Sequence, residues 1–275
     1  MGTRLAETIG QPVVIDNRGG GGGTIGADIV AKAAPDGYTL MLSGGPPHGV
    51  YSLFIKNVPF DTVRDFSPIV VFGTAPQVLV VHPSFPANSV KELVDYAKAN
   101  PGKLSFGSSG IGSPHHLGGL LLNRAAGIDL THVPYKGGGA ALADVLAGQV
   151  PVAMLAMSTI VPHVKSGKLR LLAVLEAQRS KAMPDTPTIA ETGYTGYAVP
   201  DTWIGFLGPA NLPSAMVSQL SAAVLKVVTY PDVRSRLEAA GFEIKSNTAQ
   251  ELADIVLKSR DIYGRIMTDA GIMPE

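Results

Sequence analysis

Apolar residues recur along the chain in two rhythms. Compact runs of valine, isoleucine and leucine read as buried strands, and stretches with apolar positions three and four apart read as amphipathic helices. Residues 12–16, 38–42, 69–82, 150–155, 169–175, 197–207 and 242–245 are of the first kind. Residues 3–9, 24–34, 90–99, 160–166, 213–228, 231–241 and 248–270 are of the second. In 90–99 Val90, Leu93, Val94 and Ala97 share one face behind the capping box Ser89-Val90-Lys91-Glu92. A second box, Thr248-Ala249-Gln250-Glu251, opens the last helix, with Gly271 as its cap. Strands alternate with helices, the pattern of an α/β protein with parallel sheets. Two long extended segments, 69–82 and 197–207, bracket a middle block. They predict two lobes, with 77–205 inserted into a lobe made of 1–76 and 206–275.

The stretch 104–149 is a βαβα unit with two glycine-rich turns, each ending a strand and opening a helix. The first is Gly107-Ser108-Ser109-Gly110-Ile111-Gly112-Ser113, and the second is Tyr135-Lys136-Gly137-Gly138-Gly139. Amide groups at a helix start are unpaired and the helix dipole is positive there. Two such turns in succession suit a small carboxylate or phosphate. Taken alone, they are equally the tight turns of an ordinary α/β fold.

Composition narrows the classes. The 275 residues suffice for two lobes. Twenty-two basic residues balance twenty-two acidic ones, which argues against a nucleic acid held by its phosphates. The chain has no cysteine, so disulfides and thiolate metal sites are excluded. No apolar run approaches the roughly 18 residues of a membrane span. The start, Met1-Gly2-Thr3-Arg4-Leu5-Ala6-Glu7, lacks an apolar signal core, so the sequence as it stands reads as a soluble chain without an export signal.

Catalytic motifs are weak. Gly21-x-Gly23-x-x-Gly26 fits the dinucleotide pattern, but a run of five glycines meets many such patterns, and Ser43 stands where the ribose-binding acid belongs. Ser108 and Ser109 lack nucleophile-elbow spacing. His115 and His116 are adjacent and point about 100° apart on a helix, so they do not pair as metal ligands. No catalytic, metal or cofactor residues are assigned. His48 is a pocket candidate at a strand end. His116 reads as a polar residue in the first turn of its helix, and His82, His132 and His163 as structural. Lys136 reads as an exposed lysine. Trp203, the single tryptophan, reads as core or as the floor of a pocket at the lobe junction.

The sequence resembles the substrate-binding receptors of tripartite tricarboxylate transporters, the Bug-type periplasmic proteins. The matching pieces include Gln11-Pro12-Val13-Val14-Ile15-Asp16-Asn17-Arg18, Pro35-Asp36-Gly37-Tyr38-Thr39-Leu40, Asn100-Pro101-Gly102-Lys103-Leu104, Gly107-Ser108-Ser109-Gly110, His132-Val133-Pro134-Tyr135-Lys136-Gly137, and Pro184-Asp185-Thr186-Pro187-Thr188. The resemblance implies a type II periplasmic binding protein, two α/β lobes joined by two crossing strands. It implies a small organic carboxylate held between the lobes, delivery to membrane subunits of a tripartite transporter, a periplasmic location, and a monomer with no cofactor. Carried over onto this sequence, the ligand-binding candidates are Ser43, Gly44 and His48 from the first lobe. From the second they are Ser108, Ser109, Gly110, Ser113, Tyr135, Gly137 and Gly138, with Trp203 on the return strand.

Three departures shape the expectation. Family members start with an export signal, a strand and a ligand-contacting glycine loop, and this sequence starts after them, so the first strand of lobe one is expected to be missing. Amino-acid-binding members carry an aspartate near Leu155, whereas Val152-Ala153-Met154-Leu155-Ala156-Met157 has no acid. A dicarboxylate or aromatic acid is therefore expected in place of an amino acid. Gly138 replaces a hydroxyl residue, and Pro46-Pro47 alters the first-lobe turn. The alternatives are a nucleotide-dependent α/β enzyme using the Gly21–Gly26 turn and a truncated copy that does not bind.

Overall fold

The computed structural model describes residues 1–44, 51, 53, 55–197 and 199–270. Two sheets divide the strands. The first contains β1 (Met41–Gly44), β2 (Phe66–Thr74), β8 (Trp203–Pro209) and β9 (Glu243–Asn247), in the order β1-β8-β2-β9. The second contains β3 (Gln77–Val81), β4 (Ser105–Ser108), β5 (Thr131–Pro134), β6 (Val152–Ala156) and β7 (Arg170–Val174), in the order β5-β4-β6-β3-β7. Every strand of the second sheet lies between β2 and β8 in sequence. The chain therefore leaves the first sheet once and returns to it once.

The expected parallel sheets are replaced by mixed pairing. β4 runs parallel to β5 and β6, as their helical connections require. β3 is antiparallel to β6 and β7 because it enters straight from β2, opposite to the helix-fed strands. All described pairs of the first sheet are antiparallel.

A period of two governs the second sheet's core. Val78 and Val80 of β3 join Ala153 and Leu155 of β6 on one face. Leu79 and Val81 join Val152 and Met154 on the other. Both faces are buried, so each strand reads as a continuous apolar run. One face is covered by α3 (Val90–Ala99) through Val90, Leu93, Val94 and Ala97, and by α4 (Pro114–Ala126) through Leu122 and Ala126. The other is covered by α5 (Gly138–Leu146) and α6 (Met157–Lys165) through Ala141, Val145, Met157 and Ile160.

In the first sheet Ile69, Val70 and Phe72 pack on α7 (Ser214–Thr229) and α8 (Pro231–Ala239). Phe66, Val71, Trp203 and Leu207 share a cluster with α2 (Thr24–Ala31) and α9 (Ala249–Ala270). Fully burying one such aliphatic side chain stabilises by about 1.5–3 kcal/mol.

The capping boxes form with one difference. Thr248 and Glu251 cap each other, Glu251 N–H to Thr248 Oγ at 3.2 Å and Thr248 N–H to the Glu251 carboxylate at 2.7 Å. Ser89 accepts from Glu92 N–H, but the Glu92 carboxylate turns to Asn88 N–H at 2.7 Å. The proposed cap Gly271 lies outside the described residues.

Residues 12–16 depart most from expectation. They follow α1 (Gly2–Ile9) and form no strand. Val14 is 86% exposed and Ile15 67%. Tyr38, Leu42 and Ile29 are exposed beside them, bordering the same cavity. β1 starts at Met41, later than the apolar run 38–42 suggests, and it is an edge strand. An apolar run becomes a strand only with a ladder partner, and none stands beside 12–16 among the described residues.

Candidate functional site

A cavity of about 1160 Å³ is lined from both sheets. Ser43 and Gly44 end β1 on one side, paired in register with Gly205 and Ile204 of β8. Ser109, Ser113 and His115 face it from the turn after β4, and Ala156 and Ser158 from the start of α6. Gln77 and Thr202 line it from the two segments that pass between the sheets.

The turn after β4 is held by its own side chains. Gly110 N–H donates to Ser108 Oγ at 3.1 Å, and that oxygen lies 2.6 Å from His132 Nε2. The His132 ring stacks on His116 at 3.9 Å and on Phe106 at 5.0 Å. Ser113 caps α4 by accepting His116 N–H, with Pro114 at the first helical position, where no N–H is needed. His116 Nδ1 accepts Gly112 N–H at 3.3 Å. Ser109 Oγ is 2.6 Å from His115 Nδ1. Burial pushes His115 down to about 4 and His132 to about 4. Burial and the neighbouring His132 take His116 to about 3. The three imidazoles are neutral at ordinary pH, so they stiffen the turn without supplying charge.

The charged side chains in the lining are Arg18, Asp16 and Asp36. Arg18 is the one Lys or Arg among the described lining residues, and its Nε is bound by the Asp16 carboxylate at 2.8 Å. An anion here would be met by hydroxyls and backbone amides rather than by a free cation.

Four of the sequence-derived candidates, Ser43, Gly44, Ser109 and Ser113, border the cavity. Others stand behind it. Ser108 is wholly buried under the turn, and Tyr135 donates its hydroxyl to Asp144 at 2.7 Å. Gly110 backs onto the Tyr135 carbonyl and Gly22. Gly137 caps α5 at φ 116°, and Gly138 opens that helix. Trp203 is buried in the core shared with Tyr51, Phe66 and Leu252, away from the lining. His48 lies outside the described residues. The sequence reading passed over Gln77, Ala156, Ser158 and Thr202. A glutamine opening an otherwise apolar strand was the available signal for the first.

The glycine run does something the dinucleotide motif does not describe. Gly22 has φ 66° and lies so close to the second turn system that a Cβ would overlap the Ile111 carbonyl. Gly19 approaches the Lys136 carbonyl in the same way. The run is a contact between the two halves of the molecule, and the space a pyrophosphate would need beside Gly22 is filled by residue 111.

One antiparallel sheet and one mixed sheet, a chain that crosses between them and a cavity at the crossing define an α/β solute receptor of the periplasmic binding type. The model of the tripartite tricarboxylate transporter family receptor matches residues 1–272, and the chain belongs to that family. A curated relative, the UPF0065 protein in the tcbD-tcbE intergenic region of Pseudomonas sp. (strain P51), is 36% identical over 97% of this chain and 79% of its own length. The periplasmic binding protein BugD superposes with a TM-score of 0.94 at 31% identity, covering 100% of this chain and 92% of that one. An R. palustris protein solved with adipate has a TM-score of 0.94 at 32% identity, over 100% and 91%. MatC from Rhodopseudomonas palustris with bound malate has 0.90 at 31%, over 96% and 91%.

Proposed function

We propose that this chain is an extracytoplasmic receptor that holds a small organic carboxylate, a dicarboxylate or an aromatic acid rather than an amino acid, between two lobes. The lobes are 1–76 with 206–275, and 77–205. The protein acts as a periplasmic monomer, performs no catalysis, and hands its ligand to the membrane subunits of a tripartite tricarboxylate-type transporter. Ser43 and Gly44 grip from one lobe, and Ser109 and Ser113 from the other. Gly110, Tyr135, Gly137 and Gly138 shape the second-lobe turns behind them, and Ser108 and Trp203 hold the walls.

The observation that carries this reading is the cavity itself, lined from both sheets, largely apolar, with the hydroxyl residues Ser43, Ser109, Ser113 and Ser158 in its wall and its arginine already paired. A ligand touching both halves favours the closed arrangement, which is how binding becomes a signal for docking. The adipate- and malate-bound relatives support the ligand class.

Ala156→Asp tests it. Ala156 borders the cavity and sits at the N-cap of α6 without a side-chain cap. Aspartate is a favoured cap, so the fold should keep or gain stability, by about 1 kcal/mol. The same carboxylate would repel an anionic ligand. Calorimetry against a panel of aliphatic and aromatic dicarboxylates should show binding by the wild type and at least a tenfold loss in the variant. Unchanged affinity would remove the site assignment. Absence of binding by the wild type to every acid would favour a copy that has lost its ligand.

A further inference from the structure

Between α8 and β9 the chain runs Gly241-Phe242-Glu243, and this short stretch bridges the two halves of the molecule. Gly241 follows the end of α8 at φ 88°, a left-handed position that favours glycine. It is pressed against α6: a Cβ there would stand 2.7 Å from Met157 Cγ and 3.4 Å from Val161 Cγ2. Phe242 borders the cavity. Glu243 pairs in register with Thr74, the last residue of β2, so its backbone belongs to the first sheet. Its carboxylate leaves that sheet and accepts the Lys181 N–H at 3.0 Å, with the Ser180 hydroxyl at 3.5 Å.

The receiving side belongs to the second sheet. Residues 180–183 follow β7, and Ala182 and Met183 pack on the core that β3 and β6 share with α5 and α6. Ser180 is buried, and its Oγ accepts the Ala182 N–H at 3.2 Å. The Met183 N–H closes the turn on the Ser180 carbonyl at 3.2 Å. Donor and acceptor are therefore each fixed to a different sheet. A carboxylate accepting an N–H makes a charge-assisted bond, roughly twice as strong as a neutral one. Neither Glu243 nor Lys181 lines the cavity, so the bond reports how the halves sit and does not touch what lies between them.

We propose that Gly241-Phe242-Glu243 is a clasp that holds the two sheets in the ligand-binding arrangement, with Glu243 as a positioning residue that acts without contacting the ligand. This rests on the receptor reading above. Phe242 stands in the cavity wall between the two bridging residues, so a ligand against that wall and the clasp favour the same arrangement. Losing the clasp lowers the population of the binding-competent form, and apparent affinity falls by that fraction.

The test compares Glu243→Ala, which removes the acceptor, with Glu243→Gln, which keeps an acceptor oxygen. Calorimetry on the full chain uses the same panel of aliphatic and aromatic dicarboxylates. Glu243→Ala should bind at least tenfold more weakly than the wild type, by the same factor for every acid that binds. Glu243→Gln should stay within threefold of the wild type, with melting curves checking the fold of each. X-ray scattering without ligand should give Glu243→Ala a larger radius of gyration than the wild type. Wild-type affinity in Glu243→Ala, or an equal loss in Glu243→Gln, would overturn the clasp while leaving the carboxylate reading standing. A loss confined to some of the acids would place Glu243 against the ligand and overturn it too. If the wild type binds no acid, the receptor reading falls by itself and scattering decides the clasp: equal radii for the wild type and Glu243→Ala would overturn it.

Discussion

At the residue scale, the turn after β4 shows how neutral groups build part of the cavity wall. His115, His116 and His132 are held far below the usual histidine range by burial. The unfolded chain takes up protons below about pH 6.5, where the folded chain does not, so stability should fall as pH drops from 6.5 towards 4. For His115 alone the loss is on the order of 3 kcal/mol by pH 4. Urea melts at pH 7, 5.5 and 4.5 should show a falling midpoint, and His115→Gln should flatten that fall. Parallel curves for the two proteins would place the acid sensitivity elsewhere. Gly22 carries a second expectation. Its missing Cβ is what lets the glycine run meet the Ile111 carbonyl across the molecule. Gly22→Ala strains a left-handed position by about 1 kcal/mol and blocks that contact. Ligand affinity should drop by at least tenfold while the melting temperature moves by only a few degrees. An affinity equal to wild type would mean that the contact is not part of the bound state.

At the element scale, most of the chain was legible because each element repeats a local rule. The 90–99 helix falls at Val90–Ala99, with its apolar face and its serine cap where the pattern places them. The βαβα reading of 104–149 emerges as β4, α4, β5 and α5. The alternation of single strands with helices also suggested parallel sheets, and there it misled. Direction depends on which end of a sheet the chain enters, and β3 and β8 enter from the other lobe. Residues 12–16 show the same limit from another side: their apolar run is real, but a ladder needs a neighbour that sequence periodicity cannot supply. The site was half legible. Glycine turns announce themselves, whereas Gln77 and Thr202 matter only because the fold brings the two crossings together. Val14 and Ile15 are open to solvent. Val14→Ser with Ile15→Thr should therefore change stability by no more than about 0.5 kcal/mol and lower the binding of an apolar dye. Ile69→Ala, in the first sheet's core, should cost about 2–5 kcal/mol. A large loss from the first pair would mean that this edge is covered after all.

At the scale of the whole molecule, the crossing between the sheets is knotted by Glu176. Its two carboxylate oxygens accept the Gln77 N–H at 2.9 and 3.0 Å, and Leu175 and Val199 join beside it through a backbone bond of 3.2 Å. One buried acid thus ties the outgoing crossing to the end of β7 and to the chain on its way back. Burial pushes this carboxyl up to about 8, against the Gln77 hydrogen bond, with Asp201 and Glu243 adding repulsion. The sign follows from linkage. Between about pH 4.5 and 8 the folded state keeps a proton that the unfolded state releases, so stability declines as pH rises through that window. The loss is on the order of 4 kcal/mol by pH 8. The histidine turn works in the opposite direction below pH 6.5, so the two together set a stability maximum in the mildly acid range. Glu176→Gln keeps the shape and removes the titration. Its melting temperature, relative to wild type, should climb steadily between pH 5 and 8.5. A difference that stays constant across that range would show that Glu176 does not take up its proton on folding. Because Gln77 also lines the cavity, the acid that stabilises the crossing also fixes the backbone of a residue in the cavity wall.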